Sequence, residues 1–333
     1  MILHPVILSL LISSLLITGL VVYSARIAVA ILASWNLASG SERQLELERR
    51  TYLVSTVLAN AFVFQLVSLF LYIFTADSLH GQFIGAMCAA GTLNVDGAGY
   101  VALLLKIASF VLAGVWLILN HADNRAYDYP LVRVKSLLLL LLAPVLVAEL
   151  LVQGRFLLAL EPNVITSCCG SLFASDARGA TSDLAALPIE PTMVAFYLTV
   201  GAACAALVVF LRWGRGGALV GAASLLTLIV SLISVVSWIS LYYYELPNHH
   251  CPFDILQRGY GYVGYLLYGL LGSGVLAGLG VGVLPPFRSV RSLEVVVPRM
   301  QRRLAGGALI LLLLFALLVT SRALTSDLVL VGL

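Results

Sequence analysis

Chemistry-bearing side chains are scarce in this chain, and the densest group is His249, His250, Cys251 and Asp254, four residues within six positions on a stretch broken by Pro247 and Pro252. Imidazole, thiolate and carboxylate donors suit borderline or soft ions such as copper or zinc. A turn broken by Pro247 and Pro252 can converge two or three of these donors. Further sulfur and nitrogen donors stand elsewhere, as Cys88 after Met87, the vicinal pair Cys168-Cys169, and His80. The spacing is not a paired CxxC, so the motif alone does not specify zinc.

The same residues support thiol chemistry. Cys251-Pro252-Phe253-Asp254 has the frame of a CxxC pair with a carboxylate in the fourth place. A redox pair would therefore need a partner from another loop, and the redox candidates are Cys88, Cys168, Cys169 and Cys251. In an oxidising compartment four such cysteines most simply form two disulfides. Adjacency strains a Cys168–Cys169 bridge, so the expected pairings join Cys88 and Cys251 to the vicinal pair.

These groups must be positioned by a very apolar chain. Of 333 residues, 61% are hydrophobic and only 11% charged; mean hydropathy is +1.04. A soluble domain carries about 25% charged residues. Eight apolar segments are expected to cross a bilayer, at about 5–35, 52–75, 100–120, 131–153, 191–211, 218–242, 259–284 and 304–323. Each is long enough to span about 30 Å as a helix, and helices are the form that satisfies every backbone group in lipid. The expectation is an all-α polytopic integral membrane protein, one transmembrane domain over 1–333. The first segment lacks a basic leader and reads as a retained span rather than a cleaved signal.

Lys and Arg placement orients it. Thirteen of the 19 lie in one set of connections, namely Arg43, Arg49, Arg50, Arg125, Arg133, Lys135, Arg212, Arg215, Arg288, Arg291, Arg299, Arg302 and Arg303. The opposite set holds four, Arg155, Arg178, Arg258 and Arg322. The basic side is expected to be cytoplasmic, with both termini outward. His80, Cys88, Cys168, Cys169, His249, His250 and Cys251 then all face outward on a three-loop lid whose longest loop is about 154–190. The setting this implies is a bacterial inner (plasma) membrane with those loops facing the periplasm or exterior.

Two intramembrane charges stand out. Lys106 and Glu149 fall at similar depth on neighbouring spans and are expected to form an ion pair. Nine glycines between Gly259 and Gly282 point to close helix packing. Tyrosines flanking the histidine loop read as an interfacial belt.

No CxxCH site or mid-membrane histidine is present, which argues against haem. No phosphate-binding loop argues against a nucleotide cofactor, and a net charge of +3 gives no case for nucleic acid. The first functional expectation is an outward Cys/His cluster that binds or hands over a copper-type ion, with the bilayer and an outward metal- or thiol-carrying protein as partners. The alternatives are a membrane thiol–disulfide oxidoreductase coupled to a quinone, which leaves enzyme status open, and a disulfide-stapled accessory subunit of a membrane complex.

Overall fold

The computed structural model describes residues 4–36, 39–166 and 180–330. Among them the protein is helical, and eight helices are long and apolar enough to cross a membrane. They are α1 (Pro5–Ser34), α2 (Glu42–Ser78), α3 (Ala98–Asp123), α4 (Val132–Ala159), α5 (Ile189–Trp213), α6 (Gly217–Tyr244), α7 (Val263–Val283) and α8 (Val296–Thr325). A bilayer is their natural surrounding, since Leu, Val, Ile and Phe remain exposed along α1, α2, α5 and α8.

Local sequence explains where the helices begin and end. Pro5 sits in the first turn of α1, where its missing N–H costs nothing. α2 starts ten residues before the apolar stretch that hydropathy detects. Ser41 Oγ accepts from Gln44 N at 3.3 Å, and Glu46 pairs with Arg50 one turn on at 2.6 Å. α5 stops at Gly214, whose left-handed φ of 69° lets its N–H bond Phe210 O at 2.7 Å. α6 passes through a π-helical turn at Val235–Ile239 before its last turn, Ser240–Tyr244.

The chain forms two compact units. The first holds α1, α2 up to Thr75, α3, α4 and the Pro286–Val297 segment. Its core is Ile17, Val21, Leu58, Phe62, Ala113, Trp116, Leu142 and Leu146, with Phe62 edge-on to Trp116. Polar contacts between helices frame this apolar layer. Lys106 Nζ lies 2.8 Å from Glu149 Oε1. Glu149 also accepts from Gln65 Nε2 at 2.9 Å and Ser109 Oγ at 2.5 Å, and Lys106 donates to Ser68 Oγ at 3.1 Å. At the other end of the α3–α4 hairpin the charges are reversed: Asp123 of α3 pairs with Lys135 of α4 at 2.7 Å. Two buried pairs of opposite sense fix the register of the hairpin, because a shift of one turn would strand all four charges in an apolar interior.

The second unit holds residues 76–94, α5, α6, α7 and the rest of α8. Glycine sets its closest approach. A Cβ on Gly221 would meet Gly282 Cα at 2.9 Å, and one on Gly278 would meet Ser224 Oγ at 2.0 Å, so α6 and α7 pack backbone to backbone. Phe196, Trp238 and Phe315 form an edge-to-face cluster joining α5, α6 and α8.

The loops of this unit are stitched by backbone pairing. Ile84 N donates to Val164 O at 3.0 Å and Thr166 N to Ile84 O at 2.9 Å, forming one isolated parallel bridge. Gly85 turns the strand-like segment at φ 88°, where a Cβ would strike Thr166 O at 2.6 Å. No disulfide at bonding distance occurs among the described residues. The pairings of Cys88 and Cys251 with Cys168 and Cys169 involve residues outside the described ones. Within them, the Cys88 and Cys251 thiols neighbour each other, with their sulfurs 3.4 Å apart.

Candidate metal centre

The site is built where the end of α2, the loop after it and the α6–α7 loop come together. α6 ends at Glu245, which takes a left-handed φ of 56°. The chain then turns through Pro247 and re-enters as a 3-10 turn at Asp254–Leu256. Tyr244 holds the turn from inside: its hydroxyl donates to Cys251 O at 2.6 Å and accepts from Ile255 N at 3.0 Å. Tyr268 Oη, from α7, donates to Pro252 O at 2.7 Å. The two tyrosines therefore do more than sit in an interfacial belt. Between them they hold the carbonyls of the two peptide groups on either side of Pro252.

Cys88 is delivered by a separate scaffold. Asp77, at the end of α2, accepts Ala89 N at 3.1 Å and so anchors the short helix Ala89–Leu93 directly after Cys88. Gln257 Nε2 donates to Asp77 Oδ1 and to Met87 O, both at 3.0 Å. That single amide joins the loop holding Cys251 to the loop holding Cys88.

These supports bring three donors together. Cys88 Sγ lies 3.4 Å from Cys251 Sγ, and Cys251 Sγ lies 3.4 Å from Asp254 Oδ1. The three donor atoms all fall within 4.8 Å of one another, and all three residues are buried. Asp254 Oδ2 accepts from His249 Nε2 at 2.5 Å, and His249 stands edge-on to the Tyr244 ring with centroids 4.6 Å apart. Phe253 N points at Cys251 Sγ at 3.4 Å, a dipole that favours thiolate.

The electrostatics favour an ionised Asp254. Burial by itself pushes the Asp254 carboxyl upward. Hydrogen bonds from His249 and from the Cys88 and Cys251 thiols outweigh it and hold the group below the usual carboxylate range. Asp254 is thus a carboxylate at neutral pH, facing two thiols that become anionic donors on losing their protons.

The remaining sequence candidates are placed as follows. His250 Nδ1 bonds Val236 O, in the π-helical turn, at 2.9 Å and points away from the group. His80 bonds Asp77 O through Nδ1 and lies outside the group. Cys168 and Cys169 lie outside the described residues. Lys106 and Glu149 belong to the first unit, in the network above.

Sequence reasoning missed Asp77, Gln257, Tyr244 and Tyr268, which position donors without being donors. Gln257 carried one weak signal, three residues after Asp254 on the same short turn.

The donor set tests well against a zinc-type ion. With metal–sulfur bonds of about 2.3 Å, a tetrahedral site separates its sulfurs by roughly 3.7–3.8 Å. The 3.4 Å sulfur contact opens to that spacing by a side-chain adjustment of a few tenths of an ångström. Two thiolates and a carboxylate suit a borderline divalent ion better than copper(I), which prefers sulfur alone. Comparison with protein-family models, curated proteins and solved structures gives no match.

Proposed function

We propose that this membrane protein binds a borderline divalent metal ion, zinc-type before copper-type, through Cys88, Cys251 and Asp254 at the loop end of its second unit. The observation that carries the reading is the convergence of two thiols and an ionised carboxylate within 4.8 Å, on a loop pair held by Gln257 and Asp77. His249 acts through Asp254, orienting the carboxylate and leaving its other oxygen for the ion. Three protein donors leave a fourth coordination position for an incoming ligand.

The Lys/Arg asymmetry sets these loops on the outward side. Binding then draws the ion from the exterior and releases two thiol protons per ion, since Asp254 is already ionised. His249 is the exposed edge of the group, with 24% of its side chain accessible. Exchange with an outward carrier, a metal-binding protein or a small chelate, would take place there. The buried sulfurs keep the ion from hydrolysis and from adventitious thiols. Handover at the outer face fits better than permeation, because α6 and α7, which flank the loop, carry no Lys, Arg, Asp or Glu.

The test is elemental analysis of protein purified without chelators, beside the Cys88→Ser and Cys251→Ser variants. One equivalent of zinc-type metal, lost in both variants, supports the proposal.

A second reading rests on the same sulfur contact. Cys88 Sγ and Cys251 Sγ need close only from 3.4 Å to about 2.05 Å to bond. Oxidation of the two thiols to a disulfide would deliver two electrons and two protons to a quinone, which becomes a quinol. The Asp254–His249 pair would relay those protons from the thiols towards the quinone.

A further inference from the structure

A partly open pocket of about 20 Å³ lies in the first unit, lined in part by Ser24 and Ala28 of α1, Thr51 and Ser55 of α2, Trp116 of α3 and Lys135 of α4. That volume holds one water molecule, given the roughly 10–15 Å³ each requires. Its walls carry the polar partners a water needs. Trp116 is buried, and its indole Nε1 has no hydrogen-bond partner. Thr51 is buried too, and its Oγ1 has none.

The other polar groups of the wall are engaged. Lys135 Nζ contacts Asp123 Oδ2 at 2.7 Å, Asn120 Oδ1 at 2.9 Å and Ser55 Oγ at 3.4 Å. Ser24 Oγ and Ser136 Oγ donate to carbonyls of their own helices. The group that remains must accept from an indole N–H, which can only donate, and exchange a hydrogen bond with a threonine hydroxyl. The neighbouring Lys135 and Asp123 lie 2.7 Å apart and compensate each other's charge, so an added charge gains little. A neutral molecule that both donates and accepts, and fits in 20 Å³, is water.

From these observations we infer that the cavity is a built hydration site. It holds one ordered water between Trp116 Nε1 and Thr51 Oγ1, beside the Lys135–Asp123 pair. The site makes the two buried ion pairs of the α3–α4 hairpin unlike. Lys135–Asp123 lies at a hydrated wall. Lys106–Glu149 lies beyond the dry layer of Phe62, Ala113, Leu142 and Leu146, where its own network saturates it. This inference is independent of the metal proposal, which concerns the second unit.

Radiolytic hydroxyl-radical footprinting of the full-length protein in detergent tests it, since a side chain is modified where a water stands beside it. Trp116 and Trp238 make an internal comparison: both are buried, and both have an unpartnered indole Nε1, but Trp116 alone lines the cavity. Trp116 should be modified at least fivefold faster than Trp238. An Ala28→Leu variant, which fills the cavity, should bring the Trp116 rate down to that of Trp238 while the rate of exposed Trp213 stays unchanged. Equal rates for Trp116 and Trp238 in the unmodified protein would overturn the inference. So would a Trp116 rate that Ala28→Leu leaves as it was in folded protein.

Discussion

Cys88 Sγ and Cys251 Sγ stand 3.4 Å apart across 163 residues of sequence, in contact with each other and each buried. A long-range thiol pair in contact with a buried carboxylate is costly to assemble unless something rewards the assembly. On the proposal above the reward is a metal ion, and its donors should contribute unequally. Cys251→Ser removes a sulfur and the group that Phe253 N and Asp254 both face, and should abolish binding. His249→Ala removes only the partner behind the carboxylate, and should weaken binding by about 10–100-fold. Isothermal titration with zinc on metal-stripped protein measures both. Cys204→Ser, whose thiol lies within α5, should bind as the unmodified protein does.

Protons report on the same site. Asp254 is held ionised by His249 and by the two thiols, so it releases none on binding near neutral pH. The thiols must each lose one, giving about two protons per ion. Affinity should therefore fall by roughly a hundredfold for each pH unit lowered while both thiols remain protonated in the unbound protein. Titration in buffers of differing ionisation enthalpy counts the protons directly. A count near zero would mean that the sulfurs do not ligate.

The loop assembly depends on one amide. Gln257 reaches both Asp77 and Met87, so Gln257→Ala should loosen the placement of Cys88 without removing a donor. We expect a weaker metal affinity than in the unmodified protein and faster amide exchange in residues 84–93. Hydrogen-exchange mass spectrometry separates this from a direct ligand effect, because Cys88→Ser should change affinity while leaving most of that exchange pattern intact.

In the first unit, breaking one member of a buried pair should cost more than replacing both. Glu149→Gln leaves the Lys106 ammonium in an apolar interior, and we expect a loss of about 3–5 kcal/mol. Lys106→Met combined with Glu149→Leu should recover much of it. Thermal unfolding in detergent, followed by tryptophan emission, makes the comparison.

Much of this architecture could be read in the sequence, because a hydrocarbon layer leaves few options. Apolar runs of membrane length marked all eight spans, and the glycines between Gly259 and Gly282 pointed to close packing of α7 but not to its partner α6, where Gly221 and Ser224 meet Gly282 and Gly278. Helix ends were less legible. The first turns of α2 are polar, and hydropathy registers the solvent for which a helix is suited rather than the helix itself. At the site, residue types identified the chemistry, and the clustering of His249, Cys251 and Asp254 was visible locally. The choice among sulfur partners was not, since it depends on Asp77 and Gln257 bringing a distant loop to Cys251. The different fates of His249 and His250 were also hidden. Adjacent side chains in a turn diverge, and only the backbone course shows that one meets Asp254 and the other Val236 O.

The most direct measurement is a free-thiol count on protein purified without chelator or reductant, with elemental analysis of the same sample. The account predicts one equivalent of zinc-type metal, with Cys88 and Cys251 unreactive until the metal is stripped and both reactive afterwards. No bound metal, together with a Cys88–Cys251 disulfide recovered by peptide mapping, would contradict it and leave the thiol–disulfide reading in its place.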